Sequence, residues 1–137
     1  MAVHPTATGV AQQCQAWLDR LLQQGERIVI PEIADYEVRR ELLRAGLTRS
    51  LRRLDALILT LEYLPIDTSV MRLAAELWSE ARRKGQPTAD AKALDGDVIL
   101  AAQAILASTP EIPTIVATTN VAHLARFTVA DLWESID

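Results

Sequence analysis

Apolar positions recur at helical spacing near the start of the chain. Val10, Cys14, Trp17, Leu18, Leu21 and Leu22 share one helical face, and Gly25 is placed to end that helix. The pattern then changes. Arg27-Ile28-Val29-Ile30 is a short β-branched run stopped by Pro31, which predicts a buried strand. Pro31 also suits the first turn of a following helix, where its missing N–H has no partner to lose. That helix is predicted from Pro31 to Ala45, with Gly46 ending it. Thr48 is placed to cap the next helix, whose core face is Leu51, Leu54, Ile58 and Leu61. Tyr63-Leu64-Pro65-Ile66 reads as a strand or extended connector.

Asp67 or Thr68 then caps a helix that carries Val70, Leu73, Ala74, Leu77, Trp78 and Ala81 at helical spacing. Gly85-Gln86-Pro87-Thr88 breaks it. From Asp97 to Ala107 the chain is apolar almost all round, which predicts a helix buried on most sides, with Asp95 and Asp97 opening it. Pro110 and Pro113 bound the next loop. Thr114 to Thr118 is the clearest buried strand, and Val129 to Ile136 predicts a short helix or strand. Strands alternating with helices imply βαβ units and a mostly parallel sheet. The fold class expected is α/β, with the active site at the carboxyl ends of the strands.

Composition narrows this picture. The 137 residues suit one domain spanning 1–137, with no repeat or linker to divide it. Half the residues are hydrophobic and 23% are charged, an ordinary globular mixture able to bury a core without disulfides. Cys14 is the only cysteine, in an apolar stripe; it reads as a buried structural thiol in a reducing cytoplasm. No apolar run approaches the ~20 residues that span a bilayer, and no secretory signal is legible at the N-terminus. The net charge of −4 excludes a uniformly basic nucleic-acid-binding surface but not a local basic patch. Arginine is concentrated at Arg39, Arg40, Arg44, Arg49, Arg52 and Arg53, and cations recur at Arg82, Arg83 and Lys84. These read either as solvated helix faces with i,i+4 pairs or as a phosphate-contacting rim around an acidic centre.

Acids and amides fall where such a centre would lie. Glu37 is on the helix after the Ile28–Ile30 strand, Asp95 and Asp97 are at the buried helix, and Asn120 follows the Thr114–Thr118 strand. Carboxylates gathered at one sheet edge suit Mg²⁺ or Mn²⁺, hard cations that take oxygen ligands and leave room for waters and phosphate oxygens. Each residue also has a plain structural role available. Asp95 can be an N-cap, Asp97 a residue favoured by the helix dipole, Glu37 part of a charged ladder with Arg40 and Glu41, and Asn120 a turn residue.

The order and wording of these segments resemble the PIN domain family, metal-dependent ribonucleases that include many bacterial VapC-type toxins. Ile30-Pro31-Glu32-Ile33-Ala34-Asp35-Tyr36-Glu37-Val38-Arg39-Arg40 is similar to the family's strand and helix bearing a glutamate, here Glu37. Asp97-Val98-Ile99-Leu100-Ala101-Ala102-Gln103-Ala104 resembles its "D-x-x-I-A-A-x-A" helix, which puts a metal-ligating aspartate at Asp97. Ile115-Val116-Ala117-Thr118-Thr119-Asn120 resembles the strand ending in "T-x-N" or "T-x-D", with Asn120 in the fourth acidic or amide position. The connectors at Tyr63–Asp67 and Gly85–Thr88 also resemble the family's. The resemblance runs from about Trp17 onward.

Three features depart from it. Where the family often has aspartate followed by phenylalanine, His123-Leu124 stands here. Asp95 is an additional acid. The family also begins with a strand reading roughly "LLDTN" or "LLDSG" whose aspartate is the first metal ligand, and nothing before Val10 is apolar enough to be it. The reading is a domain truncated at its N-terminus, by a coding start placed too late or by cutting of the chain. The missing strand would be the central one, between the Ile28–Ile30 and Ile115–Ala117 strands. Backbone groups left without partners cost ~1–3 kcal/mol each, so the chain is expected to be fragile. A sheet with a gap, or a strand donated by another copy, would be the outcome.

The resemblance implies a three-layer α/β/α sandwich and, with the missing strand and its aspartate restored, Mg²⁺- or Mn²⁺-dependent endoribonuclease activity, with the catalytic set Glu37, Asp97 and Asn120. Glu37, Asp95 and Asp97 would hold metal, and Arg39 or Arg40 would contact RNA phosphate. The partners implied are an RNA substrate, a cognate antitoxin if the protein is a VapC-type toxin, and a second copy in a homodimer. Without the first aspartate the alternative is a catalytically inactive scaffold acting through protein contacts. A doubly wound nucleotide-binding module is disfavoured because no G-x-G-x-x-G or P-loop sequence is present.

Overall fold

A computed structural model describes residues 16–85, 91–118, 128 and 130–132. Val10, Cys14 and the Gln86–Thr88 break lie outside the described residues. Residues 16–23 are helical (α1). The chain continues as β1 (Val29–Pro31), α2 (Glu32–Arg44), α3 (Thr48–Thr60), β2 (Glu62–Leu64), α4 (Thr68–Arg83), α5 (Ala91–Ala107), β3 (Val116–Thr118) and β4 (Ala130–Leu132). Gly25 and Gly46 end α1 and α2 at φ +79° and +68°, as the sequence predicts. At the second of these, Leu47 N–H donates to Leu42 O at 2.9 Å and Gly46 N–H to Leu43 O at 3.2 Å. These are the paired bonds of a left-handed helix stop, a backbone position that suits glycine. Asp67 caps α4 by accepting from Val70 N–H at 2.9 Å.

Several boundaries differ from the sequence reading, each for a local reason. Pro31 closes β1 and stands at the N-cap of α2 with an extended backbone, so the helix proper begins at Glu32. Leu47, not Thr48, occupies the N-cap of α3. The apolar face of α3 is half-buried, with no fully buried residue. Trp78 is 39% exposed rather than in the core, and the Arg82 guanidinium lies 5.2 Å from its ring centroid. The largest difference is in α5. It begins at Ala91, so Asp95 and Asp97 lie inside the helix and do not open it. Ala91-Lys92-Ala93-Leu94 are strong helix formers, and Leu94, 1% exposed, anchors that turn in the core.

The strands pair in parallel, β1 with β2 (Val29 opposite Glu62) and β3 with β4 (Val116 opposite Ala130). Among the described residues they form two two-stranded parallel sheets, in keeping with the α/β class expected. A cleft of about 550 Å³ is lined by Val29 and Pro31 of β1, Val116 and Ala117 of β3, and Trp17 and Leu21 of α1. The core lies where α4 meets α5, with Val70, Ala74 and Ala81 packed on Leu94, Val98 and Ala102. Small alanines at the contact let the two helices approach closely. No helix among the described residues is long and apolar enough to cross a membrane.

Candidate metal-binding site between α2 and α5

One stripe of α2 faces one stripe of α5. On α2, Ile33 and Glu37 are one turn apart; on α5, Gly96 and Gln103 are two turns apart and share a face. Ile33 N–H donates to Gln103 Oε1 at 3.3 Å, and Glu37 Oε2 lies 2.8 Å from where a Cβ on Gly96 would stand. The start of α2 therefore lies against the later part of α5, and the two helices run in opposed directions through the site.

Gln103 is fully buried. Its Oε1 accepts from Ile33 N–H, one of the four donors that a helix leaves without an intrahelical partner at its N-terminus. Pro31, at the N-cap, has no side chain able to do this. Gln103 Nε2 also donates to Leu64 O at 2.8 Å, which ties β2 to the same point. Glu32 adds a second tie by accepting from Ile66 N–H at 2.7 Å. These bonds fix where α2 leaves the sheet and hence where Glu37 arrives.

Glu37 is partly desolvated, which pushes its pKa up; Arg40 opposes the shift and the charge of Asp97 adds to it. The two carboxylates thus sense one another across the α2–α5 contact. Asp97 Oδ2 is closed to solvent. Two neighbouring carboxylates that raise the cost of each other's charge make a donor set suited to a hard divalent cation. Asp95 is exposed and stands two residues before Asp97, about 200° around the helix axis. Among the described residues, no group of three or more acidic, histidine or cysteine side chains converges. Glu37 lies against Gly96, between Asp95 and Asp97 in the sequence, and the charge of Asp97 reaches it. Asn120 and His123 lie outside the described residues.

The arginines differ in what they already hold. Arg39 donates to Asp35 Oδ1 at 3.0 Å and reaches Asp55 Oδ1 at 2.8 Å, bridging α2 to α3. Tyr63 O–H donates to the other Asp35 oxygen at 2.8 Å, and burial together with that carboxylate raises the Tyr63 pKa. Arg40 is more open. Its guanidinium lies 5.2 Å from the Tyr36 ring centroid and 3.9 Å from Glu37 Oε2. Arg44 pairs with Glu41 and Lys84 with Glu80, so part of the basic pattern consists of local helix pairs.

Gly96, Gln103, Asp35 and Tyr63 were not singled out from sequence. A glycine inside a helical run costs about 1 kcal/mol against alanine and so points to a packing or functional reason. A single glutamine in that run would have marked a buried polar tie.

The PIN domain family model matches residues 11–120, a span that includes Glu37, Asp95, Asp97 and Asn120. The chain belongs to the PIN domain family, whose members are in general divalent-metal-dependent nucleases. Its mixed α/β architecture, mostly helical with short parallel strands, is consistent with the family's α/β/α fold. Neither the curated proteins nor the solved structures gave a significant match.

Proposed function

We propose that the protein is a Mg²⁺- or Mn²⁺-dependent endoribonuclease of the VapC toxin type, with its metal held by Glu37 and Asp97. The observation that carries this is the Glu37 carboxylate of α2 lying against Gly96 of α5, the residue before Asp97, within a PIN domain. Asp95 and Asn120 are further candidates for the site's rim, the first as an outer ligand and the second as an amide beside the metal. A bound divalent cation supplies Lewis-acid neutralisation of phosphodiester charge and acidifies water. The chain's own residues hold and orient. Glu37 and Asp97 provide anionic oxygens from two helices locked together at Gln103. Arg40, stacked on Tyr36, presents a cation beside the site for an RNA phosphate. Arg39 serves the same phosphate path from behind its bridge to Asp35 and Asp55. A cognate antitoxin that covers the acidic centre, and pairing with a second copy, belong to this reading.

The test is cleavage of a mixed RNA substrate with Mn²⁺, with and without chelator, by the protein and by Asp97→Asn. Metal-dependent cleavage lost in the variant supports the reading. RNA binding that weakens steeply with salt, and less steeply for Arg40→Ala, is expected alongside. A second reading is an inactive PIN scaffold acting through protein contact, since His123 stands where the family often has an acid. Under that reading Glu37→Ala leaves the cellular effect of the protein intact.

A further inference from the structure

The Glu37 carboxylate occupies the space that a side chain on Gly96 would take. A Cβ at position 96 would stand 2.8 Å from Glu37 Oε2, 3.4 Å from its carboxyl carbon and 3.5 Å from Oε1. All three nearest atoms belong to one carboxylate, and no backbone atom is among them. Gly96 lies inside α5, next to Asp97, at a position where nothing in the helix itself calls for glycine; alanine there would favour the helix. Gly25, Gly46 and Gly85 have positive φ, with open space where a Cβ would stand. Gly96 is the opposite case, a helical glycine whose missing side chain is filled by another residue's functional group.

We infer that Gly96 is a positioning residue: its missing Cβ forms a notch in α5 that seats the Glu37 carboxylate beside Asp97. The inference rests on the metal site proposed above and adds a residue that sets its geometry. An added methyl moves the carboxylate by about 0.6 Å to reach ordinary contact distance. Metal–ligand distances tolerate only about 0.2 Å. The obstructed atoms are at the end of a flexible side chain, so Glu37 gives way and the helix does not. Gly96→Ala therefore separates stability from metal binding, moving the two in opposite directions.

The experiment measures thermal unfolding of the full chain, metal-free and across a Mn²⁺ titration. The proteins are wild type, Gly96→Ala, Glu37→Asp, the double variant and Asp97→Asn. Wild type is expected to gain stability with Mn²⁺, and Asp97→Asn to lose that gain. Gly96→Ala is expected to melt roughly 2–4 °C higher than wild type without metal, from helix propensity. Its Mn²⁺ affinity is expected to fall about tenfold, as when a metal ligand loses its orienting partner. In the Glu37→Asp background the shorter acid no longer fills the notch, so adding Gly96→Ala should cost no further affinity. The inference is overturned if Gly96→Ala binds Mn²⁺ as wild type does, or if it loses as much affinity in the Glu37→Asp background. It is also overturned if its metal-free melting point falls, because the helix has then moved. A wild type with no Mn²⁺ response removes the metal site itself, an outcome distinct from failure of the notch alone.

Discussion

Replacing Gln103 with leucine should weaken the fold far more than its conservative volume suggests. The side chain is fully buried, and its two bonds run to Ile33 N–H at 3.3 Å and Leu64 O at 2.8 Å. Leucine fills nearly the same space, so the cavity term is small. It leaves a helix N-terminal donor without its partner, at about 1–3 kcal/mol, and removes one bond from a strand carbonyl, at about 1 kcal/mol. The bond to Ile33 is long and counts toward the low end, so the expected loss is about 2–4 kcal/mol. In a chain of this length that lowers Tm by roughly 10 °C. Urea unfolding should show the midpoint moving at constant slope. Gln103→Glu supplies a control with a pH signature. The carboxylate can still accept from Ile33, but it faces Leu64 O with a buried charge. Burial raises such an acid's pKa, so the penalty is present above the raised value and relieved as pH falls through it. A Gln103→Leu loss below about 0.5 kcal/mol, the scale of an ordinary surface change, would refute the tie.

Two further outcomes follow from named contacts. Asp67→Ala removes the acceptor for Val70 N–H at the start of α4 and should cost about 1 kcal/mol in chemical denaturation. Glu37→Gln should slightly stabilise the metal-free protein at neutral pH: the folded pKa is raised, so the ionised acid carries a penalty above it that is absent at lower pH. The gain should shrink as pH falls through that raised value, and a gain independent of pH would exclude this origin.

Much of the architecture was legible because local signals agreed. The glycine stops at Gly25 and Gly46, the Asp67 cap and the apolar spacing of Val70, Ala74 and Ala81 each specify the same element. Glu37 and Asp97 were legible only as members of an ordered set of segments, because a lone acid on a helix has many plain roles. Asp95-Gly96-Asp97 resembles a helix start in the sequence, because aspartate and glycine match cap chemistry, yet α5 already runs from Ala91. The deciding factor was tertiary: Leu94 buries one turn earlier, and the helix extends to meet α4. The same resemblance hid Gly96, whose purpose lies across the helix contact and not in its own turn. The basic rim was also only half visible, because no spacing rule shows that Arg39 is held by Asp55 of α3 as well as by Asp35.

The proposed site has Glu37 and Asp97 holding one divalent cation in common. It is tested most directly by following free Mn²⁺ by electron paramagnetic resonance in titrations of wild type, Glu37→Gln, Asp97→Asn and the double variant. Wild type is expected to bind the ion, and each single substitution to weaken binding at least about tenfold. The double variant should then be no worse than the weaker single, as expected for two groups that serve one site. Wild-type affinity in either single variant would contradict it.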